Sequence, residues 1–441
     1  MRVLRILWWT SLLFGLSSCA STQDGAKTAR SATSGASSSV EASSSSSLGK
    51  SVSRPSYNVD AIESVDASMR GIESALQQAD EGNLSGAISS LTEVSKKYPK
   101  SFIAHYDLGL LYERQLDTTR ARAAYQAALE AEPNFSQALI QIVRMDIRAG
   151  NPEAGIRTAE SYIAKTPAAF DHSYAKLEGM IAARQYDASI ALCRSLLKKD
   201  EANAKLRYYL ALVEFERGRY RLSDFIVGES LDIDPNDAEA LFLRARIHEA
   251  LSSEDVALIP GIASTLDRVL ELNPDYIEAL WMRANIYYEA SHYEKAESMY
   301  RHILELNPKI VGVMVNLANT LKTVDRGPEA EKLLLEARGL DPNNGLVDFA
   351  MGTLYLNFEL IKLPMKDMDR LKLARTQFES ASQHWTDPED IALAKGYIRT
   401  TDDAIETLQA ALDAEALFGS FSESGEEEAG AGESGETLRV D

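Results

Sequence analysis

Small side chains and prolines recur along this chain with a step of 34 residues. When each step is numbered so that its proline is position 32, positions 8 and 20 hold mostly alanine, glycine or serine. Two helices that cross closely need small residues at the crossing point, so each step is predicted to be one helix pair. The prolines that set this register are Pro99, Pro133, Pro167, Pro235, Pro274, Pro308 and Pro342, with five extra residues before Pro274.

Aromatic side chains follow the same register. Position 11 carries Tyr112, Tyr287 and Tyr355, and position 24 carries Tyr125 and Tyr300. We expect these rings to wedge between the two helices of each pair.

The repeat resembles the tetratricopeptide (TPR) repeat, whose period is 34 residues. Glu278-Ala-Leu-Trp-Met-Arg-Ala-Asn-Ile-Tyr287 nearly repeats Glu239-Ala-Leu-Phe-Leu-Arg-Ala-Arg-Ile-His248, and Leu-Asn-Pro ends two repeats. The resemblance covers roughly residues 60–385. It implies an all-α protein, a right-handed α-solenoid of about nine helix-turn-helix repeats with a C-terminal capping helix pair.

Repeats three, four, six and nine depart from the pattern, and repeat three does so with Val143 and Gly155 at positions 8 and 20. Repeat four has Lys176 and Leu177 at positions 7 and 8, and Glu201 replaces its proline. Repeats six and nine carry insertions at residues 252–260 and 360–370. The second insertion is unusually apolar, so it either packs over the solenoid or presents a docking patch.

The composition divides the chain around the repeats. Residues 58–388 are predicted to form the solenoid and residues 389–417 the capping helices, with Thr400–Asp403 as a helix cap. Residues 418–441 are rich in glycine, serine and glutamate and are predicted to be a disordered acidic tail.

The N-terminus has the pattern of a secretory signal. Arg2 and Arg5 precede an apolar run, Ile6–Leu16, that is too short to span a bilayer, so residues 1–18 are predicted to be a signal peptide.

Leu16-Ser17-Ser18-Cys19 resembles the lipobox of bacterial lipoproteins, which implies that Cys19 is acylated and becomes the first mature residue. The alternative is an ordinary signal peptide with a chance cysteine. If Cys19 is acylated, residues 19–57 comprise the lipidated Cys19 and a disordered Ser-rich tether. Ala20 after the cysteine resembles the outer-membrane default of enteric bacteria.

Charge and residue content exclude several classes of function. The formal net charge of −20 disfavours nucleic acids and anionic lipid head groups. The six histidines are scattered, and no HExxH, CxxC or P-loop pattern occurs. We therefore expect no cofactor, metal, small-molecule substrate or catalytic activity. Cys193 is predicted to be a buried structural thiol, and His302 with Glu305 a surface pair.

The TPR resemblance also implies a binding face. In TPR folds, positions 2, 5, 9 and 12 of each first helix line a concave groove. Position 5 is aromatic in six of the eight repeats from the second onward, and acidic residues lie between the rings. The predicted partner-binding residues are Tyr106, Tyr174, Tyr208, Phe215, Phe242, Glu239, Glu249, Glu278, Trp281, Asn285, Tyr288 and Phe349. A partner segment with apolar and basic side chains would suit this face, although position 5 could instead pack on the neighbouring repeat.

The best-known TPR ligand mode, a two-carboxylate clamp, is not predicted. Asn285 and Asn316 match its asparagines, but Trp281 replaces its first lysine, and Leu346 and Ala350 replace its last two cations.

Together these patterns predict a scaffold of the bacterial cell envelope. We expect a lipid-anchored chain in the outer membrane, facing the periplasm and helping to assemble an envelope complex. A surface-exposed adhesin and the regulatory subunit of an envelope enzyme are the alternatives.

Overall fold

The computed structural model describes residues 59–167, 169–253, 255–356 and 365–429. Every regular element within these ranges is helical, which confirms the predicted all-α fold of consecutive helix pairs. The helices are α1 Val59–Asp80, α2 Leu84–Lys97, α3 Phe102–Arg114, α4 Thr118–Ala131, α5 Ser136–Arg148, α6 Pro152–Lys165, α7 His172–Ala182, α8 Tyr186–Leu197, α9 Ala204–Glu216, α10 Tyr220–Ile233, α11 Ala238–Leu251, the 3-10 helix Val256–Leu258, α12 Ile259–Leu272, α13 Ile277–Glu289, α14 Tyr293–Leu306, α15 Val311–Thr323, α16 Gly327–Leu340, α17 Gly345–Leu356, α18 Asp367–His384 and α19 Pro388–Ala429.

Several predictions lie outside the described residues. These are the signal peptide over residues 1–18, the whole segment 19–57 with Cys19, the start of the insertion at 360–370, and residues 430–441 of the predicted tail. None of the described helices has the length and apolarity that crossing a lipid bilayer would require.

Packing divides the described chain after Ile286, within α13, into two compact units. Unit one comprises residues 59–286 and unit two residues 287–429, and each is described by itself. Within each unit, helices pack mainly against their neighbours along the chain.

The recurring prolines mark where second helices end. Each of the seven follows the C-capping residue, the first residue after a second helix; Glu132 before Pro133 and Asn307 before Pro308 both have extended backbone. The proline ring excludes helical backbone at the preceding residue, so the sequence itself sets these ends. Repeat four lacks the proline. There Lys198, the first residue after the second helix, keeps helical dihedral angles.

The small residues lie where paired helices cross, as predicted. A Cβ added to Gly109 would lie 2.4 Å from a ring carbon of Tyr125, and one added to Gly352 would lie 2.6 Å from Phe378. Tyr125 and Tyr300, at position 24, are almost wholly buried. The predicted wedging of the position-24 rings between paired helices is therefore confirmed for Tyr125.

The turn between the two helices of a pair contains a residue with left-handed backbone conformation, and this residue recurs every 34 positions from 82 to 218. The φ angle is +85° at Gly82 and +74° at Gly150 and Gly218, and it is +63° at Leu116 and +57° at Arg184. A residue with a side chain pays about 1–2 kcal/mol for this conformation. The crossing of the two helices, rather than glycine, therefore imposes the turn.

The predicted pair of capping helices over residues 389–417 is wrong, because α19 runs through them without a break. The Thr401 hydroxyl donates to the carbonyl of Tyr397 at 2.7 Å, a bond inside the helix, and caps nothing. Asp402 accepts a hydrogen bond of 2.6 Å from Arg375 on α18, so it serves packing between two helices. Helix α19 also extends to Ala429, into the predicted tail.

Candidate protein-binding face

In unit one, the first helices of four consecutive repeats bring their charged side chains together. Arg144 on α5 and Glu178 on α7 occupy position 9 of their repeats, and Lys205 on α9 and Glu239 on α11 occupy position 2. These four residues are called the charge network. They lie on the first-helix face, the surface formed by positions 2, 5, 9 and 12 of the first helices.

The carboxylates of the charge network accept hydrogen bonds at all four of their oxygens. Arg144 donates from Nε and Nη2 to the two carboxylate oxygens of Glu178, both at 2.7 Å. Its Nη2 also donates to Oε1 of Glu239 at 3.2 Å, and Lys205 donates to Oε2. The Tyr209 hydroxyl adds a hydrogen bond of 2.9 Å to Glu178. Every carboxylate oxygen of the network therefore has a donor.

Electrostatics keep the network ionised despite its burial. Burial opposes the charge of Lys205, but Glu239 and Asp237 outweigh it and raise the pKa of the ammonium group. Burial likewise opposes ionisation of Glu239, but Lys205 and Arg144 hold the pKa of its carboxyl group well below its ordinary value. The network therefore balances two cations with two anions, and little of its field is left for a ligand.

Tyrosine rings support the network from the neighbouring turns. Tyr174 stacks on Tyr209 with ring centroids 5.7 Å apart, and the Lys205 ammonium lies 4.4 Å from the centre of the Tyr208 ring. Burial raises the pKa of Tyr208, so its hydroxyl stays neutral at physiological pH. The rings fix the position of the lysine through packing and cation–π attraction.

Accessible apolar surface on this face is found on α9. Tyr208, Leu212 and Phe215 occupy positions 5, 9 and 12 and are all half-buried, which makes one apolar stripe along the helix. The guanidinium group of Arg246 on α11 lies 4.4 Å from the centre of the Phe215 ring. We call these three residues the α9 stripe; it offers aromatic and aliphatic contact area beside one cation.

A second feature of the face lies on α13. Glu278 has no cation within ion-pair distance among the described residues, and its Oε2 lacks a hydrogen-bond partner there. Burial raises the pKa of its carboxyl group to about 7, although Arg144 and Arg246 counteract part of the effect. Trp281, one turn further on, likewise has a buried indole N–H without a partner in the described chain.

The structure buries most of the predicted position-5 rings. The exposed fractions are 1% for Tyr106, 9% for Tyr174, 8% for Phe242, 7% for Trp281 and 3% for Phe349. Position 5 therefore serves mainly to pack the solenoid, which was the alternative that the sequence left open. Whether any of these rings binds a partner stays a prediction.

The other predicted residues keep some accessible surface. Glu239 belongs to the charge network, so its charge is already balanced by Arg144 and Lys205. The half-buried members of the set are Tyr208, Phe215, Glu239, Glu249, Glu278, Asn285 and Tyr288. Their role in binding a partner also stays a prediction.

Sequence reasoning missed three members of the charge network, Arg144, Glu178 and Lys205. The signal was present, because Arg144 and Glu178 lie 34 residues apart, as do Lys205 and Glu239. Opposite charges at one position of consecutive repeats predict an ion pair between neighbouring first helices. The link from Arg144 to Glu239, across 95 residues, had no such signal.

The other candidate reactive groups named from the sequence are Cys193 and the pair of His302 and Glu305. Cys193 is fully buried, and burial raises the pKa of its thiol to about 12, so the reactive thiolate is scarce. His302 lies 3.6 Å from Glu305 in an exposed pair. No group of three potential metal-ligating side chains occurs among the residues that the structure describes.

Comparison with known proteins agrees with the fold. A family model of the tetratricopeptide repeat matches residues 73–135 and 181–222, and a second model of this repeat matches residues 277–310. The chain carries tetratricopeptide repeats. Such repeats are scaffolds for protein–protein interaction, and proteins built from them are typically not enzymes.

Individual relatives are distant. The chain is 25% identical over 169 residues to the Intraflagellar transport protein 56 homolog of Caenorhabditis elegans; the match covers 34% of this chain and 27% of that protein. The chain thus spans about a quarter of the length of this relative. The solved TPR domain of P58(IPK) is similar with 14% identity and a TM-score of 0.26, covering 78% of this chain and 99% of that one. TTC0263, a thermophilic TPR protein in Thermus thermophilus, has 18% identity and a TM-score of 0.34, covering 41% of this chain and 96% of that one.

Proposed function

We propose that this protein is a membrane-anchored scaffold of the bacterial cell envelope that binds a partner polypeptide along its first-helix face. The binding part of the proposal rests on one observation, the α9 stripe of Tyr208, Leu212 and Phe215. These side chains remain accessible although the rings around them are buried. Aromatic side chains in a partly desolvated groove supply large contact area at low entropic cost.

The bound segment is proposed to carry apolar side chains toward the α9 stripe and a basic side chain toward Glu278. A nearby cation would favour the ionised form of this carboxyl group, whose pKa burial raises to about 7. The charge network is proposed to hold the four first helices in a fixed arrangement, because each of its carboxylate oxygens already accepts a hydrogen bond from inside the chain.

The anchor in this proposal rests on the sequence of residues 1–57. A positive start, a short apolar run and Cys19 in a lipobox-like context support acylation, and the Ser-rich segment behind it supports a tether. An outer-membrane position facing the periplasm, and a role in assembling an envelope complex, are proposed on the same grounds.

Photo-crosslinking tests the binding face with two phenylalanines of the same repeat. A benzophenone amino acid replaces Phe215, on α9, or Phe225, on α10, whose side chain is 65% exposed on a second helix. In living cells, the Phe215 variant should crosslink to a discrete partner and the Phe225 variant should not. Circular dichroism checks that both variants remain folded.

The two positions make the result decisive. Equal crosslinking at both would point to nonspecific contact, and crosslinking from Phe225 alone would place the partner on the second helices. Either result would refute the proposed binding face. Mass spectrometry of the Phe215 adduct would identify the partner.

A further inference from the structure

Unit two holds a lysine for which the described residues provide no counter-charge. Lys322, at position 12 of α15, donates a hydrogen bond of 2.9 Å from Nζ to Oγ1 of Thr353 on α17. Thr353 uses its own hydroxyl hydrogen to donate to the carbonyl of Ala350 at 2.9 Å, so it serves the lysine as an acceptor. Because this contact joins consecutive first helices, Lys322 lies on the first-helix face of unit two.

No carboxylate lies within ion-pair distance of Lys322 among the described residues. The acids on the helices nearest to it have other partners. Asp348 on α17 accepts hydrogen bonds of 2.8 Å from Ser380 and from His384, and Glu331 on α16 accepts one of 2.6 Å from Tyr355. The ammonium group is therefore held by a neutral hydroxyl alone.

An ammonium group in this position is under-used as a donor. It has three N–H groups, and the described residues engage one of them. Burial, with no charged neighbour to offset it, lowers the pKa of Lys322 to about 8, so the amine is still mostly protonated at pH 7. In a partly desolvated site, an incoming anion would gain more than it would at a solvated surface.

The residue that follows Lys322 in the chain contacts a tyrosine. The Tyr288 hydroxyl lies 3.4 Å from Oγ1 of Thr323, the residue next to Lys322, and Tyr288 occupies position 12 of the preceding repeat. Tyr288 is half-buried. The arrangement differs from the two-carboxylate clamp, since it uses one amine at position 12.

We propose that Lys322 receives a carboxylate of the bound polypeptide. This proposal rests on the proposed function and adds the chemistry of one contact. An aspartate, a glutamate or the C-terminus of the partner chain could supply the carboxylate. The two N–H groups of the lysine that no described residue engages would bind its oxygens. The partner polypeptide would then carry an acidic group in addition to the basic side chain proposed above.

Zero-length crosslinking with a carbodiimide tests the contact directly, because the reagent joins an amine to a carboxylate only when the two touch. Cells that express the full chain are treated, and peptides containing Lys322 are identified by mass spectrometry. We expect Lys322 to be joined to a carboxylate of another polypeptide. The linked residue would distinguish a side chain from a chain end. Lys332, which is exposed on the second helix α16, is the control lysine and should not give this product.

Substitution separates this inference from the proposed function. Lys322→Gln should lower the Phe215 photo-crosslink to the partner by about tenfold or more, because a buried charge pair is lost. Lys322→Arg should retain most of the crosslink. Circular dichroism checks that both variants are folded.

Three outcomes would overturn the proposal for Lys322. Its amine could be joined only to a carboxyl group of its own chain, it could give no product, or Lys322→Gln could leave the Phe215 crosslink unchanged. In each case a persisting wild-type crosslink from Phe215 would leave the proposed function intact. Loss of that crosslink in the wild-type chain would refute the function itself.

Discussion

At the residue scale, a glutamate at position 2 has its pKa shifted in opposite directions in two neighbouring repeats. Glu239 and Glu278 both occupy position 2 of a first helix, yet Lys205 and Arg144 surround the first and leave the second without a cation. The pKa of Glu239 is lowered by its partners, whereas burial raises that of Glu278. The position in the repeat thus predicts where a side chain lies, but it does not predict the pKa of that side chain.

Glu278→Gln should stabilise unit one at neutral and alkaline pH. The folded pKa of about 7 exceeds the ordinary 4.5, so the stability that Glu278 contributes is present below pH 4.5 and is lost as pH rises through 7. Glutamine does not titrate. The advantage of the variant should grow over this interval to about 1–3 kcal/mol.

Urea unfolding of both proteins between about pH 4.5 and 8.5 measures this difference, an interval that spans the ordinary and the folded pKa. Glu271→Gln is the control, because the Glu271 side chain is 65% exposed. A difference for Glu278→Gln that stays flat with pH would contradict the prediction.

Arg144→Ala should destabilise the chain, because it leaves Glu178 and Glu239 with fewer donors in a groove where water compensates only in part. We expect a loss of about 2–4 kcal/mol in the free energy of unfolding. Arg120→Ala removes the exposed pair with Asp117 and should cost far less. Urea titrations followed by circular dichroism compare the two variants. Equal losses would show that the charge network adds no more than a surface ion pair.

At the element scale, the helix pair is the unit that the repeat specifies. Prolines fix the ends of the second helices, and small residues fix the crossing point. Tyr125 fills the space above Gly109, and its hydroxyl donates to Glu113 at 2.6 Å, which ties the ring to the first helix. In this pair, Gly109, the Tyr125 ring and Pro133 therefore act together to fix the arrangement of the two helices.

Gly109→Ala should cost about 1–3 kcal/mol, because the new methyl group would overlap the buried Tyr125 ring. Gly228→Ala on α10 is the matched control, since no atom lies within 4 Å of its added Cβ. That change should be neutral or stabilise the helix by up to about 1 kcal/mol. Thermal unfolding of both variants measures the contrast. A loss at Gly228 as large as that at Gly109 would argue against the crossing geometry.

At the scale of the whole molecule, the proposed anchor and the proposed binding face are independent. The anchor depends on residues 1–57, and the face depends on the helices from α3 onward. A change in one should therefore leave the other intact.

Cys19→Ala should release the protein from the membrane fraction while its circular dichroism stays unchanged, because the acyl chains on this cysteine are the proposed attachment. Fractionation of cells with and without the substitution measures the effect. The Phe215 photo-crosslink should survive in the released protein, at a yield set by its new location. If Cys19→Ala leaves the membrane fraction unchanged, the anchor lies elsewhere.

The sequence predicted the repeat and its register well, because that information is local. Prolines exclude helical backbone at the preceding residue, and small residues at fixed intervals can only be explained by close helix crossings. The same local logic failed at residues 389–417. There Thr401 and Asp402 have the composition of a cap, but α19 is continuous and Asp402 contacts Arg375 on the preceding helix.

By itself, then, the sequence determined the all-α fold, the helix pairs and their crossing points, since each depends on residues within one repeat. Only the tertiary structure decided which groove residues are available. Burial of Tyr106 and Phe349 depends on rings from other helices. Neutralisation of the Glu239 charge depends on Arg144, 95 residues away. The isolation of Lys322 likewise depends on which acids have other partners. Pairing across repeats is set by how the helices stack, and a 34-residue period does not record it.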